Sequence, residues 1–175
     1  MTNEALPTRD ECLKTLRTSG CSENVITHCL AVEGLAVKIA KLAHADLELV
    51  SAGALLHDIG RAKTHGVGHA VEGGRIAREL GFDERLVLII ERHIGAGITK
   101  NEAERIGLPA GEYIPQTLEE KIVAHSDNLI DEDRKVPVSK VISRFEKEGY
   151  GEAAQKIRDL HSELSGVCGV DLDLI

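Results

Sequence analysis

The chain has 175 residues, of which 42% are hydrophobic, 29% are charged and 2% are aromatic, and its formal net charge is −8. An acidic chain repels phosphate backbones, and scarce aromatic residues offer no base-stacking surface, so nucleic-acid binding is not expected. A small anionic substrate is still compatible, because a local group of cations or a metal ion can override the global charge. This length and composition predict one domain with an aliphatic, helical core.

Neither the start of the chain nor its cysteines indicate export. The first seven residues lack the basic-then-apolar pattern of a signal peptide. The four cysteines form no CxxC pair, which is typical of reduced thiols in the cytosol. No apolar run approaches the roughly 20 residues of a membrane span. We therefore expect a cytoplasmic protein that does not contact a membrane.

Two helices are predicted at the start of the chain. The pattern Thr-Arg-Asp-Glu at positions 8–11 is a capping box, which predicts a first helix to about Thr18. Ser22 can cap a second helix, because apolar residues recur at helical spacing over 25–42. His28 lies on the first turns of this second helix. Taken singly, it is better interpreted as a core-edge histidine with a hydrogen-bond partner than as a metal ligand.

The third predicted helix carries the most informative pair of residues in the chain. The helix is expected over 47–57, with Asp46 as its cap and Gly60 as its stop. His57 and Asp58 stand side by side at its end, and both are costly to bury without a partner. A metal ion would satisfy both, since imidazole and carboxylate are natural ligands. Taken alone, the pair is interpreted as a capping arrangement or a surface ion pair.

Three polar residues follow this pair at once: Arg61, Lys63 and Thr64. Beside a candidate metal, two cations and a hydroxyl suit an anionic ligand. The alternative is a solvated loop whose cations complement the negative end of the helix dipole. The sequence alone leaves both interpretations open.

Two further histidines stand at helix boundaries. His69 begins a fourth helix over 69–80, which contains a glycine pair and is expected to turn Leu80 inward. Such a glycine pair indicates close packing or close approach to a ligand, because each glycine costs about 1 kcal/mol relative to alanine. A fifth helix is nearly continuously apolar over 86–90 and should be central. It ends near His93, which is either a ligand or a C-terminal capping cation.

The next part of the chain alternates between irregular and regular structure. Residues 98–116 look irregular, with a short helix around 101–106, and form either a candidate lid or a surface connection. Thr117 caps a helix that runs through about residue 130. Asp127 falls among inward positions of that helix and requires a cationic partner. His125 should face elsewhere.

Residues 131–175 are predicted to form a C-terminal helical extension. Its parts, in order, are a polar connector over 131–135, amphipathic helices over 139–148 and 151–164, and a loosely ordered tail from residue 166. His161 is expected at the surface.

The histidines and aspartates form an ordered set. Seven of the eight histidines lie between positions 28 and 125, which favours a metal site. The sequence His57-Asp58-Ile59-Gly60 resembles the HDIG signature of the HD-domain superfamily of metal-dependent phosphohydrolases. The resemblance covers about residues 22–130 and implies an all-α, compact multi-helix HD-type bundle. The single domain would span 1–175 and include the extension over 131–175.

The resemblance implies a specific set of ligands. The minimal metal site of the superfamily corresponds here to His28, His57, Asp58 and Asp127. Members with two metals add two histidines after the signature, and these correspond to His69 and His93. Asp58 would then bridge two ions. The implied cofactor is one or two divalent transition-metal ions, namely Mn, Fe, Co, Ni or Zn, and Mg is also compatible.

The resemblance also implies an activity. The chain would be a phosphohydrolase that acts on a nucleotide or a related small phosphoester through metal-activated water. Asp58, Arg61 and Lys63 are the candidate catalytic residues, and Arg61, Lys63 and Thr64 are the candidate substrate contacts. The alternative is a catalytically silent module that keeps its metal to bind a phosphorylated signal. A metal-free scaffold is the third interpretation. The sequence does not predict the oligomeric state.

Overall fold

The computed structural model describes residues 6–175 as nine α-helices, two short 3-10 helices and one two-stranded hairpin. In chain order the helices are α1 (Arg9–Ser19), α2 (Glu23–Ala43), α3 (Leu47–Leu56), α4 (His69–Glu79), α5 (Glu84–Glu91), α6 (Lys100–Arg105), α7 (Leu118–Asn128), α8 (Val138–Lys147) and α9 (Gly151–Cys168). The strands β1 (Ile130–Asp131) and β2 (Arg134–Lys135) pair antiparallel, and the 3-10 helices span Ile59–Ala62 and Leu172–Leu174. The predicted all-α fold class is confirmed.

Helix α2 packs against α3, α7 and α9. The core is aliphatic, and its fully buried side chains include Ile39, Leu55 and Ile90. Burying one such side chain stabilises the fold by about 1.5–3 kcal/mol. Within residues 6–175, no helix combines the length and the apolar character needed to cross a bilayer.

The predicted helix starts agree with the observed caps. The side chains of Thr8, Ser22, Asp46 and Thr117 each accept a hydrogen bond from a backbone N–H in the first turn of the helix that follows. Such a cap satisfies one of the free amide groups of a helix start and contributes about 1 kcal/mol. Helices α2, α3 and α7 therefore begin at side-chain caps that the sequence predicts.

Gly60 has a different role from the predicted one. Helix α3 ends at Leu56, and Gly60 is buried in the 3-10 helix that follows. A Cβ atom on Gly60 would lie 1.9 Å from the carbonyl oxygen of His69 and 2.6 Å from the amide nitrogen of Gly73. Gly60 is thus needed for close approach of the 3-10 helix to α4. The predicted close packing at the glycine pair is confirmed as well, since a Cβ on Gly73 would lie 2.7 Å from Ile90 Cγ2.

The expectation that Leu80 points inward is wrong. Helix α4 ends at Glu79, and Gly81 turns the chain in the left-handed region with φ of 75°. Leu80 is 51% exposed, and Phe82 packs against the core instead. The apolar periodicity of the sequence therefore runs one residue past the end of the helix.

Two expectations about the C-terminal extension are also wrong, and its polar connector contains a hairpin that the sequence did not predict. The polar connector over 131–135 contributes to a hairpin, whose register pairs Ile130 with Lys135. The tail is ordered, because α9 continues to Cys168 and Leu172 is fully buried. His161 is buried, and its ring pairs with that of His125, which is also buried.

The segment between α5 and α7 is tied to the bundle. Ile98 and Tyr113 exchange two backbone hydrogen bonds, with N···O distances of 3.0 and 2.9 Å. The short helix α6 begins with a capping box between Thr99 and Glu102. Lys156 Nζ on α9 lies 2.7 Å from Glu102 Oε2. A salt bridge therefore joins this segment to the C-terminal extension.

Glu102→Gln should reduce stability in a pH-dependent way. Burial opposes ionisation, but Lys156 and the Thr99 amide and hydroxyl outweigh it and lower the pKa of Glu102 from 4.5 to about 2. Glu102 therefore stabilises the fold above about pH 4.5, and this contribution is lost as the pH falls toward 2. We expect the free energy of unfolding to fall by about 1 kcal/mol at pH 7, a value reduced for solvent screening.

Urea unfolding of both proteins at several pH values measures this difference. The gap should narrow below pH 4.5. Glu104→Gln, an exposed position on the same helix, serves as the control and should show no such trend. A gap of constant size down to pH 3 would contradict the assignment.

Candidate metal centre

Six side chains from separate parts of the chain converge on one point in the bundle. They come from the start of α2, the end of α3, the start of α4, the residues after α5 and the end of α7. We call them the histidine–aspartate centre; its members are His28, His57, Asp58, His69, His93 and Asp127. The structure thus brings together all six residues that the sequence resemblance had singled out.

Asp58 lies between two groups of histidines. Its Oδ1 atom is 3.0 Å from His69 Nε2 and 3.6 Å from His93 Nε2. Its Oδ2 atom is 3.7 Å from His57 Nε2 and 4.0 Å from His28 Nε2. The two carboxylate oxygens therefore face different ring nitrogens, as an aspartate between two cations would.

Asp127 lies on the more exposed side of the centre. Its Oδ1 atom lies 2.9 Å from His28 Nε2 and 3.5 Å from His57 Nε2. The side chains of His28 and Asp127 are 18% and 23% exposed, whereas His57 is fully buried. The centre is therefore exposed to solvent on the side of His28 and Asp127.

Four backbone carbonyls fix the protonation pattern of the rings. The carbonyl oxygens accept from Nδ1 at 2.6 to 2.8 Å, and the pairs are His28 with Glu132, His57 with Ala54, His69 with Gly66 and His93 with Ile90. A carbonyl can only accept, so each Nδ1 carries the hydrogen. In the neutral rings every Nε2 is then unprotonated and directs its lone pair into the centre. This is the tautomer that binds a metal through Nε2.

This donor set fits a divalent cation. His57 Nε2 and Asp58 Oδ1 are buried and have no hydrogen-bond partner among the described residues. His69 Nε2 and His93 Nε2 lie 3.0 Å apart, so two lone pairs face each other. Leaving such groups unpaired costs about 1–3 kcal/mol each. A cation at this point would satisfy all of them, and a mixture of imidazole and carboxylate suits a transition metal.

The charges at the centre favour a cation as well. Burial raises the pKa of Asp58, but the opposite effect of His57 and the nearby rings of His69 and His93 is larger. The pKa of Asp58 therefore lies well below its usual range. The pKa of Asp127 is likewise lowered against the effect of burial, chiefly by His57 and His28. Burial lowers the pKa of His57, yet the two carboxylates raise it overall. Two ionised carboxylates therefore attract positive charge to this point.

The three polar residues after the signature differ in their placement. Arg61 Nε donates to Asp58 Oδ2 at 2.7 Å, and its Nη1 donates to the carbonyl of His65 at 3.3 Å. Lys63 is exposed, and Thr64 is half-buried in the same turn. The structure therefore brings Arg61 into contact with the centre, whereas the side chains of Lys63 and Thr64 make no hydrogen bond or ion pair with the six residues.

The remaining buried histidines form a separate pair, and His125 faces away from the centre, as the sequence predicts. His125 Nε2 lies 2.9 Å from His161 Nδ1, and His161 Nε2 lies 3.0 Å from Asp171 Oδ1. Burial, with a smaller effect of His161, lowers the pKa of His125 to about 3. The two rings thus join α7 to α9 through a hydrogen bond and take no part in the histidine–aspartate centre.

Sequence reasoning missed the groups that support the centre. Asn128, next to Asp127, donates from Nδ2 to the carbonyl of Gly95 at 2.8 Å and so fixes the loop that follows His93. Its position beside an inward aspartate was the available signal. The Glu132 carbonyl that orients His28 left no signal, because any residue supplies a backbone carbonyl.

The fold and the centre define a class of protein, namely an all-α bundle with a buried histidine–aspartate cluster able to hold a divalent metal. The family model for the HD domain matches residues 25–130. The chain belongs to the HD-domain family.

Three relatives match most of the chain. Proteins named tRNA (cytidine(56)-2'-O)-methyltransferase from Thermoplasma volcanium and Picrophilus torridus are 48% and 45% identical over 97% and 96% of this chain. The chain spans about half the length of these two proteins, 50% and 49%. An uncharacterized protein of Methanocaldococcus jannaschii is 59% identical over 73% of this chain and 78% of its own length.

Among solved structures, the chain is similar to the HD domain of the L. monocytogenes phosphodiesterase PgpH in complex with cyclic-di-AMP. The TM-score is 0.55 at 19% identity, and the match covers 89% of this chain and 96% of that chain. At this identity the likeness concerns the fold, and it agrees with the helical arrangement described above.

Proposed function

We propose that the chain is a metal-dependent phosphohydrolase that acts on a nucleotide or a related small phosphoester. One observation carries the proposal: the Nε2 atoms of four histidines, each ring held by a backbone carbonyl at Nδ1, meet two carboxylates at a point where His57 Nε2 and Asp58 Oδ1 have no hydrogen-bond partner among residues 6–175. The proposed ligands are His28, His57, Asp58, His69, His93 and Asp127. The proposed metals are Mn, Fe, Co, Ni or Zn, one or two ions per chain, with Mg also compatible.

The roles of the individual residues follow from their placement. A divalent ion, when bound, activates water and neutralises charge on the phosphoryl group. Asp58 presents one oxygen to each group of histidines, and Arg61 holds that carboxylate in place. Lys63 offers an exposed cation to an approaching phosphate, and Thr64 offers a hydroxyl. We assign substrate contact to Arg61, Lys63 and Thr64 on this basis.

The extension belongs to the same unit in this proposal. Helix α9 packs against both α2 and α7, which carry His28 and Asp127. We therefore assign residues 1–175 to one domain, with the metal-site core over about 22–130 and the extension over about 131–175. A catalytically silent module that keeps its metal to bind a phosphorylated signal is the alternative function.

A phosphoester on RNA is a second candidate substrate. The observation that favours it is the match to two proteins named tRNA methyltransferases over nearly all of this chain. In those relatives the remaining half of the protein would supply the contact with tRNA. The net charge of −8 disfavours RNA binding by this chain alone, so a small phosphoester is the first choice.

Metal analysis of untagged protein, followed by turnover assays, tests the function. We expect about two transition-metal ions per chain after reloading with Mn, Ni or Fe, as for two-metal hydrolases. We also expect metal-dependent phosphate or nucleotide release from a panel of mono-, di- and cyclic nucleotides and from tRNA. Loss of turnover on removal of the metal, and recovery on its return, separates this activity from a contaminating phosphatase.

Each outcome selects one interpretation. About one ion per chain would restrict the site to His28, His57, Asp58 and Asp127, a one-metal centre. Metal binding and ligand binding without turnover would support the silent module. Turnover of tRNA alone would select the RNA substrate. Protein that takes up no metal after reloading would refute the proposal.

A further inference from the structure

The partner of His28 differs in kind from those of the other three histidines. His57, His69 and His93 each donate from Nδ1 to a carbonyl three residues earlier in the chain. His28 instead donates to the carbonyl of Glu132, which lies 104 positions away at the turn of the β1–β2 hairpin, at 2.6 Å. The orientation of His28 therefore depends on where the hairpin is held.

The hairpin needs outside support to hold that carbonyl. Each strand has two residues, and an isolated hairpin is at best marginally stable in water. Glu132 has φ of 57°, in the left-handed region that a residue other than glycine adopts only against a steric cost. Such a conformation persists where surrounding contacts determine it.

Lys135 supplies a large part of this support. It lies on β2 opposite Ile130, and its Nζ atom donates to the carbonyls of Leu172, Asp173 and Ile175, each at 2.8 Å. Three acceptors match the three donors of an ammonium group. Leu172 is fully buried, so the carbonyls belong to a fixed segment. Lys135 thus ties the hairpin to residues 172–175.

We propose that Lys135 is a positioning residue of the metal centre. It acts through the hairpin, whose Glu132 carbonyl orients the His28 ring, so residues 172–175 support the centre at a distance. The inference rests on the proposed function in one respect, namely that the histidine–aspartate centre binds metal. A group that orients a ligand in this way contributes 10–100-fold to metal affinity in other proteins.

The test uses Lys135→Met in the full chain, with Lys140→Met as the matched control. Lys140 also supports the hairpin, but through an exposed ion pair with Asp131 at 2.8 Å. We expect Lys135→Met to weaken Mn²⁺ binding about 10-fold or more by calorimetry. We expect Lys140→Met to change it less than about two-fold, as for an exposed ion pair.

A spectroscopic readout separates positioning from general stability. Long-range ¹⁵N–¹H spectra of metal-free protein report which ring nitrogen of each histidine carries the hydrogen. Wild-type His28 should show the Nδ1–H form, and Lys135→Met should give a mixture of forms. His57 and His93, whose carbonyl partners lie three residues earlier in the chain, should keep their signals in both variants.

A folded Lys135→Met protein with wild-type affinity and an unchanged His28 spectrum would overturn the inference. If Lys135→Met does not fold, Lys135→Gln keeps one donor group and carries the same test, with an intermediate loss expected. Failure of wild-type protein to bind Mn²⁺ would refute the proposed function. In that case the His28 spectrum of the variant still decides whether Lys135 orients His28.

Discussion

Asp58→Asn should abolish metal binding at the centre and lower kcat/KM by about 10³-fold or more, while leaving the helices intact. A loss of that size corresponds to about 4 kcal/mol of transition-state stabilisation. Asparagine keeps the shape of aspartate but removes the charge that faces both histidine groups. Asp58 Oδ1 lies 3.0 Å from His69 Nε2, and Oδ2 lies 3.7 Å from His57 Nε2, so the charge of Asp58 acts on both histidine groups.

A matched control exists elsewhere in the fold. Asp83 is also a buried aspartate paired with an arginine close in sequence, Arg85, with an N···O distance of 2.6 Å. It caps α5 and lies outside the centre. Asp83→Asn should reduce stability and leave metal content and activity in place. Elemental analysis, circular dichroism and turnover assays measure all three properties. Metal content and turnover retained in Asp58→Asn would refute the role of Asp58.

The histidines at helix ends explain why sequence reasoning left two interpretations open. The carbonyls in the last turn of a helix lack partners within the helix. His57 and His93 donate from Nδ1 to such carbonyls, those of Ala54 and Ile90. The capping interpretation and the ligand interpretation are therefore compatible, because Nδ1 donates to a carbonyl at the helix end while Nε2 faces the centre. A sequence pattern cannot assign the two nitrogens of one ring separately.

Much of the fold could be predicted because its cues are local. Side-chain caps such as Ser22 and Asp46 determine where helices begin, and helical spacing identifies the buried faces. The candidate site could be predicted because its six side chains follow a recognisable order along the chain. The contacts among them agree with that order, including the shared position of Asp58.

The features that could not be predicted depend on partners distant in sequence. The burial of His161 depends on His125 and Asp171, and nothing in its own amphipathic helix indicates either contact. The hairpin is composed largely of charged residues, so its sequence is typical of a solvated connector. Lys135 holds it through backbone carbonyls, which leave no sequence signal.

Gly60→Ala should damage both stability and the centre, although Gly60 is buried and supplies no side chain to the centre. The added Cβ would meet the carbonyl oxygen of His69 at 1.9 Å and the amide nitrogen of Gly73 at 2.6 Å. Both are backbone atoms of α4, so relief requires movement of the helix start. We expect the free energy of unfolding to fall by about 3 kcal/mol or more, the upper range for overpacking.

The same movement should reach the metal centre. His69 is the first residue of α4, and its Nε2 atom lies 3.0 Å from both Asp58 Oδ1 and His93 Nε2. Displacement of His69 should therefore lower the number of ions bound before it abolishes binding at His28 and His57. Urea unfolding together with elemental analysis measures both effects in one preparation.

Gly34→Ala is the control, because it makes the same substitution at an exposed position of α2 where an added Cβ meets no atom within 4 Å. It should stabilise the protein by up to about 1 kcal/mol, since alanine is the better helix former. The opposite signs expected for the two variants separate steric contact from helix propensity. A Gly60→Ala protein with wild-type stability and full metal content would show that the 3-10 helix and α4 can move apart without loss. Proximity of the two backbones would then not be what fixes His69 beside Asp58.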